Sequence, residues 1–238
     1  MISPEQLFAA PPPDRGEFVM RQAIRVNPEQ WRRRLPDPSW WPDRLNHCPL
    51  VAGWPVIDRR TVFDIALNAN SLTGRRSLLV AAVAWGTGTN ARPLAFRAKI
   101  FTDNSATWID ERLTKALAAL TEGDPVGAYL VMNEVGARVK HLGPAFFTKV
   151  LYFAAGTEPC GQLWPLILDQ NVVKALNALV PGLAWDPTGR WTTSQYAVYL
   201  EHAHKWAERW RAAPDVVERT LFEFGKRRAS PSRPQARR

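Results

Sequence analysis

From Asp58 onward, apolar positions recur at helical spacing along most of the chain. Val62, Ile65, Ala66 and Ala69 form one such stripe; Leu78, Leu79, Ala82, Val83 and Trp85 form a second, and Trp108, Leu113, Leu117 and Leu120 a third. Cap residues agree with this reading. Asp58, Ser105 and Asp124 stand where helices should begin, and Pro125 follows Asp124 at a favourable first-turn position. Gly74, Gly86, Gly123 and Gly156 stand where helices should end. Two further helices are predicted over about 192–212 and 214–225, the first with Ala203, Trp206, Ala207 and Trp210 on one face. No alternating strand run and no internal repeat is visible, so the expected fold class is all-α.

The first fifty-odd residues read differently. Pro11-Pro12-Pro13, Pro36-Asp37-Pro38 and Pro42 break any long helix, which predicts an irregular wrap with short helices over 1–55. Trp31, Trp40, Trp41 and Trp54 are too many large aromatics to leave in water, and are expected to pack on a helical domain spanning 56–225.

Size and composition change the picture in two ways. At 238 residues and 46% hydrophobic content, the chain can bury a substantial core as one domain or as two small lobes around a cleft. The formal charge of +9 and the sequence pI near 10.1 favour a polyanionic partner, because each Lys or Arg set against a phosphate releases counterions. Part of that charge lies in the last stretch, 226–238, which holds six basic residues and no acidic one and reads as a disordered tail, either DNA-holding or merely solubilising. Two distant cysteines, Cys48 and Cys160, no signal-like start and no apolar run of membrane-spanning length lead us to expect a soluble protein of a reducing cytoplasm.

Candidate chemistry is concentrated in one segment. Lys149 follows the Gly143-Pro144 turn and lies within Ala145–Ala155, a run too apolar for a solvated surface, so its ammonium should be partly desolvated and its pKa lowered towards that of a usable nucleophile. Twenty residues later Asp169 ends one apolar run and opens another helix, an N-cap position that favours the ionised carboxylate. His141, His202 and His204 form no metal set, and no phosphate-cradling loop or nucleotide fingerprint is present, so neither metal nor cofactor is expected.

The segments His141-Leu142-Gly143-Pro144-Ala145-Phe146-Phe147-Thr148-Lys149 and Trp164–Val172, with Ala84-Trp85-Gly86-Thr87-Gly88, resemble the helix-hairpin-helix DNA glycosylases, and among these the bacterial 8-oxoguanine-glycosylase-fold group, over about residues 55–225. The resemblance implies a helix-hairpin-helix fold in which Lys149 attacks C1′ of a damaged nucleotide and Asp169 assists. It also implies double-stranded DNA carrying a modified base as partner, with base excision and strand cleavage by β-elimination as the activity. The common Leu-Pro-Gly-x-Gly hairpin is shortened here to Gly143-Pro144, and Cys48 and Cys160, neither in a ligand-spaced set, do not provide for the four-cysteine iron–sulfur cluster that some relatives carry.

Because such an enzyme must flip its target out of the duplex, it needs a pocket with aromatic walls. Phe153 shares a helical face with Lys149 and is the first candidate, with Phe146 the second. Trp85, Asn90, Arg92 and Gly143 are the candidates for DNA contact. Where the eukaryotic-type enzyme packs a cysteine on the flipped purine this chain has Phe153, which tilts the expected substrate from 8-oxoguanine towards a bulky modified base, as in phage DNA. A monomer is expected, without an obligate protein partner. Competing readings are a non-catalytic basic DNA-binding protein and a helical scaffold for an acidic protein.

Overall fold

A computed structural model of the chain describes residues 3–158, 161 and 163–229. Its α-helices are α1 (Pro4–Leu7), α2 (Pro28–Arg32), α3 (Arg59–Ala66), α4 (Leu72–Thr87), α5 (Ala91–Thr102), α6 (Ala106–Thr121), α7 (Pro125–Asn133), α8 (Pro144–Ala154), α9 (Gln170–Leu179), α10 (Thr193–Trp210) and α11 (Pro214–Ala229). The fold is all-α, and α8 lies at its centre, packed on α4, α3, α6 and α7. α11 lies along α9 and also touches α10.

The helices begin where side chains can satisfy their orphan amides. Asp58, Ser105 and Asp124 each accept the backbone N–H three residues on, so α3, α6 and α7 start at the expected caps. Gly123 and Gly156 follow α6 and α8 with positive φ, as helix-ending glycines do. Gly74 corrects the expectation. It lies in the first turn of α4, where its N–H is capped by Ser71, because a Ser cap upstream outweighs a glycine's tendency to end a helix. Gly86 lies in the last turn of α4, and Gly88, at φ 74°, is the residue that ends it.

A small sheet is also a correction. β1 (Ala23–Arg25), β2 (Leu50–Val51) and β3 (Trp54–Asp58) pair antiparallel in the order β1-β3-β2. β2 and β3 are joined through Ala52 and Gly53, both at positive φ, the geometry of a tight hairpin turn. The strands are too short to show alternation, and Pro55 disguises β3 as a loop. Around this sheet the N-terminal segment is otherwise short helices and turns, with Trp31, Trp40 and Trp41 buried and Trp54 half-buried.

At the other end α11 runs to Ala229, so the first residues of the expected disordered tail are helical. Lys226, Arg227 and Arg228 fall in the last turn, where cations suit the helix dipole. The rest of the tail, and Cys160, lie outside the described residues. Among those described, no helix is long and apolar enough to cross a membrane.

Candidate active site

Lys149 sits in the second turn of α8, a helix that Gly143 and Pro144 start and that is buried on nearly every side from Phe146 to Phe153. Only 7% of Lys149 is exposed. Its Nζ donates to the Ala145 carbonyl and lies 5.2 Å from the Phe146 ring centroid. Burial pulls its pKa below the ordinary lysine value, opposed by the negative charges of Asp169 and Glu218 and reinforced by Arg59 and Arg97. Gly86 of α4 makes room for this side chain. A Cβ there would stand 2.9 Å from Lys149 Cδ and 3.0 Å from Phe146 Cε1.

Asp169 is the N-cap of α9. Its Oδ1 accepts the N–H groups of Asn171 at 2.9 Å and Val172 at 3.1 Å, and its second oxygen makes no hydrogen bond among the described residues. The position of α9 is fixed from outside by α11. Gly225 crosses the start of α9 so closely that a Cβ would fall 1.9 Å from the Asn171 carbonyl oxygen.

Lys149, Asp169 and Gly86 border two chambers. The inner one, of about 110 Å³, has apolar and aromatic walls of Ile24, Trp85, Ile167 and Phe222, and polar groups from Gln22, Arg59 and Glu218. The outer one, of about 500 Å³, is an open groove reached by Arg97, Gly143, Pro144, Phe146, Gln170 and Arg190. Arg97 lies flat on Phe146, 3.9 Å from its ring centroid, and donates to the His141 carbonyl at 2.9 Å. Beyond it the surface continues along Arg138, Lys140 and His141, a basic path leading away from Lys149.

The inner chamber is anchored by buried charge. Arg59 and Glu218, each 1% exposed, make an ion pair at 2.8 Å, and Arg59 Nε donates to Gln22 Oε1 at 2.8 Å. Burial pushes the Glu218 carboxyl up, with Arg59 holding it down. Behind this pair, fully buried Asp215 accepts from Arg15 Nε at 2.9 Å, Arg15 Nη2 at 2.8 Å and the Tyr152 hydroxyl at 2.9 Å. The N-terminal segment is thereby tied to α11.

Several sequence expectations change at this level. Phe153 does not face the chamber. It is fully buried, edge-on to Trp85 at 5.5 Å and to Phe63 at 5.0 Å, so it braces the Trp85 wall from behind. Its size therefore does not limit what the chamber admits, and the argument it gave against 8-oxoguanine falls. Phe146 borders the outer groove instead. Trp85 is a wall of the inner chamber, its Nε1 donating to the Gln22 carbonyl at 3.2 Å. Gly143 borders the groove, whereas Asn90 and Arg92 are exposed at the start of α5 and line neither chamber.

The matching family profile covers residues 17–222 and is described as "Putative 8-oxoguanine DNA glycosylase OGG-like protein". The chain belongs to this OGG-like family. The match begins inside the N-terminal wrap and includes Gln22 and Ile24. Neither the curated proteins nor the solved structures contain a match.

Gln22, Arg59, Glu218, Phe222, Arg97 and Arg190 were not singled out in the sequence. Glu218 alone carried a signal, as an acid at the helical spacing of Leu221 and Phe222 on a core-facing stripe. Among the described residues no group of three or more His, Cys, Asp or Glu could hold a metal ion.

Proposed function

We propose that the protein is a DNA glycosylase that excises a modified base flipped from duplex DNA, with Lys149 as nucleophile and Asp169 as the assisting carboxylate. The observation that carries this reading is the shared border. One desolvated amine and one capped carboxylate stand where a small pocket walled by Trp85 and Phe222 meets a larger groove lined by Arg97 and Arg190. The chamber suits a flipped base, and the groove suits the sugar–phosphate strand that stays outside.

Positioned at that border, the neutral Lys149 amine attacks C1′ as the base departs with the bonding electrons. Asp169 stabilises the positive charge that develops on the sugar, and its free oxygen can take the amine proton. Opening of the sugar ring then gives a Schiff base on Lys149, from which loss of the 3′ phosphate by β-elimination cuts the strand. The two backbone amides at the start of α9 hold Asp169 Oδ1 and so fix the position of the carboxylate.

The test is mass spectrometry of free bases released from duplexes with oxidised, alkylated or deaminated bases and from phage DNA with modified cytosines. Borohydride trapping would be run in parallel. Release and trapping by the wild type, with both lost in Lys149→Gln and release lost in Asp169→Asn, is the expected result. DNA bound without any base released would favour the non-catalytic DNA-binding reading.

A further inference from the structure

A ladder of rings and charges leads outward from Lys149. Its Nζ lies 5.2 Å from the centroid of the Phe146 ring, and Arg97 Cζ lies 3.9 Å from that centroid and 5.1 Å from the centroid of Phe96. These contacts put the Phe96 ring no more than about 14 Å from Lys149 Nζ, the rise of roughly four nucleotides along a DNA strand. Phe96 is 47% exposed. A single exposed aromatic is ordinary on a protein surface, but the setting of this one is not. It stands at the wall of a groove of about 670 Å³ lined by Arg97, Arg138, Lys140 and Arg190, with no acidic residue in the lining among those described. Arg97, Gly143, Pro144 and Arg190 also line the groove at Lys149, so the two are continuous. The ring is braced as well. His141 meets it edge-on at 5.3 Å and is itself held by Asp103 at 2.8 Å, while Asn104, at the end of α5, exchanges two hydrogen bonds with the Lys140 backbone.

Resting on the reading that a nucleotide is flipped from duplex DNA at Lys149, we infer that Phe96 is a second base-binding position, a stacking platform for the unpaired partner of the flipped nucleotide. Flipping strips the opposite base of its hydrogen bonds and of part of its stack. Such a base presents a π-face that an aromatic ring takes up whatever the base's identity, while the groove cations meet the phosphates on either side. Phe96, with Arg97 against it and His141 at its edge, has open ring surface to offer and little freedom to lose in offering it. Phe146 does not suit the task, since it is 9% exposed and covered by Arg97. Phe96 lines neither chamber that Lys149 borders, so its part is to hold the opened duplex and not to act on the departing base.

Two duplexes carrying the abasic analogue tetrahydrofuran test this by fluorescence anisotropy, without any turnover. In the first the analogue stands opposite an ordinary base, which is thereby unpaired; in the second it stands opposite another tetrahydrofuran, which leaves no base to stack. Phe96→Ala should weaken binding of the first duplex about tenfold and leave the second unchanged. Phe96→Trp should keep the wild-type affinity for the first, whereas Phe96→Leu, apolar but without a π-face, should not. Because Phe96 is half exposed, these replacements leave the core intact. Equal losses on both duplexes, no loss on the first, or full affinity in Phe96→Leu overturns the inference, and does so alone where the wild type still releases a base. The expected pattern in a protein that releases no base from any DNA would leave the platform standing and count against the glycosylase reading alone.

Discussion

The two sides of the inner chamber are assembled in different ways. Lys149 and Asp169 come from neighbouring elements, each set by its own helix start, whereas Gln22, Arg59 and Glu218 are brought together from the N-terminal segment, α3 and α11. The first side places an amine where its charge is energetically uncomfortable, as the lowered Lys149 pKa shows. The second side holds its charges in pairs. On the proposed reading, the chemistry and the stability of the fold rest on separate sides of one chamber.

Substituting the reactive side gives the largest expected effect. Lys149→Gln should lower base release by roughly 10³-fold or more in single-turnover assays, while thermal melting stays unchanged or rises, because a buried amine is relieved. On the paired side the sign is reversed. Asp215→Ala strands the Arg15 guanidinium and the Tyr152 hydroxyl, and should cost about 3–5 kcal/mol in denaturant unfolding. A large melting loss in Lys149→Gln, or none in Asp215→Ala, would break the distinction.

Gly86→Ala sharpens it at the boundary. A Cβ 2.9 Å from Lys149 Cδ must displace the amine, and a displacement on the order of 1 Å should lower turnover about a hundredfold with little change in DNA affinity. Arg97→Ala and Arg190→Ala should each reduce the slope of log K against log salt by about one, without altering which base is released. Asn90→Ala and Arg92→Ala, which lie off both chambers, should change base release less than either.

The smallest effect is the pH dependence of stability. Lys149 has a folded pKa below its unfolded one, so between the two values the folded chain binds fewer protons than the unfolded chain. Stability should therefore rise with pH from the lowered value up to the ordinary lysine range, and be lost as pH falls through that window. In Lys149→Met this component of the rise should vanish from urea-melt midpoints taken across the window. The same shift leaves more of the amine neutral at a given pH than an exposed lysine would have.

What the sequence determined by itself is local. Caps such as Asp58, Asp124 and Asp169 act on amides two or three residues away, and a lysine in an apolar run must be buried wherever that run packs, so the helices, the Asp169 cap and the burial of Lys149 were legible. Tertiary structure alone decided which way α8 presents its side chains. A helical repeat reveals a face only when another face is wet, and α8 is buried almost all round, so Phe146 and Phe153 could not be told apart by spacing. Gln22 and Arg59 gain meaning only when the N-terminal segment, α3 and α11 close on one another. That closure depends on distant partners such as Arg15 with Asp215, which no periodicity along a single segment records.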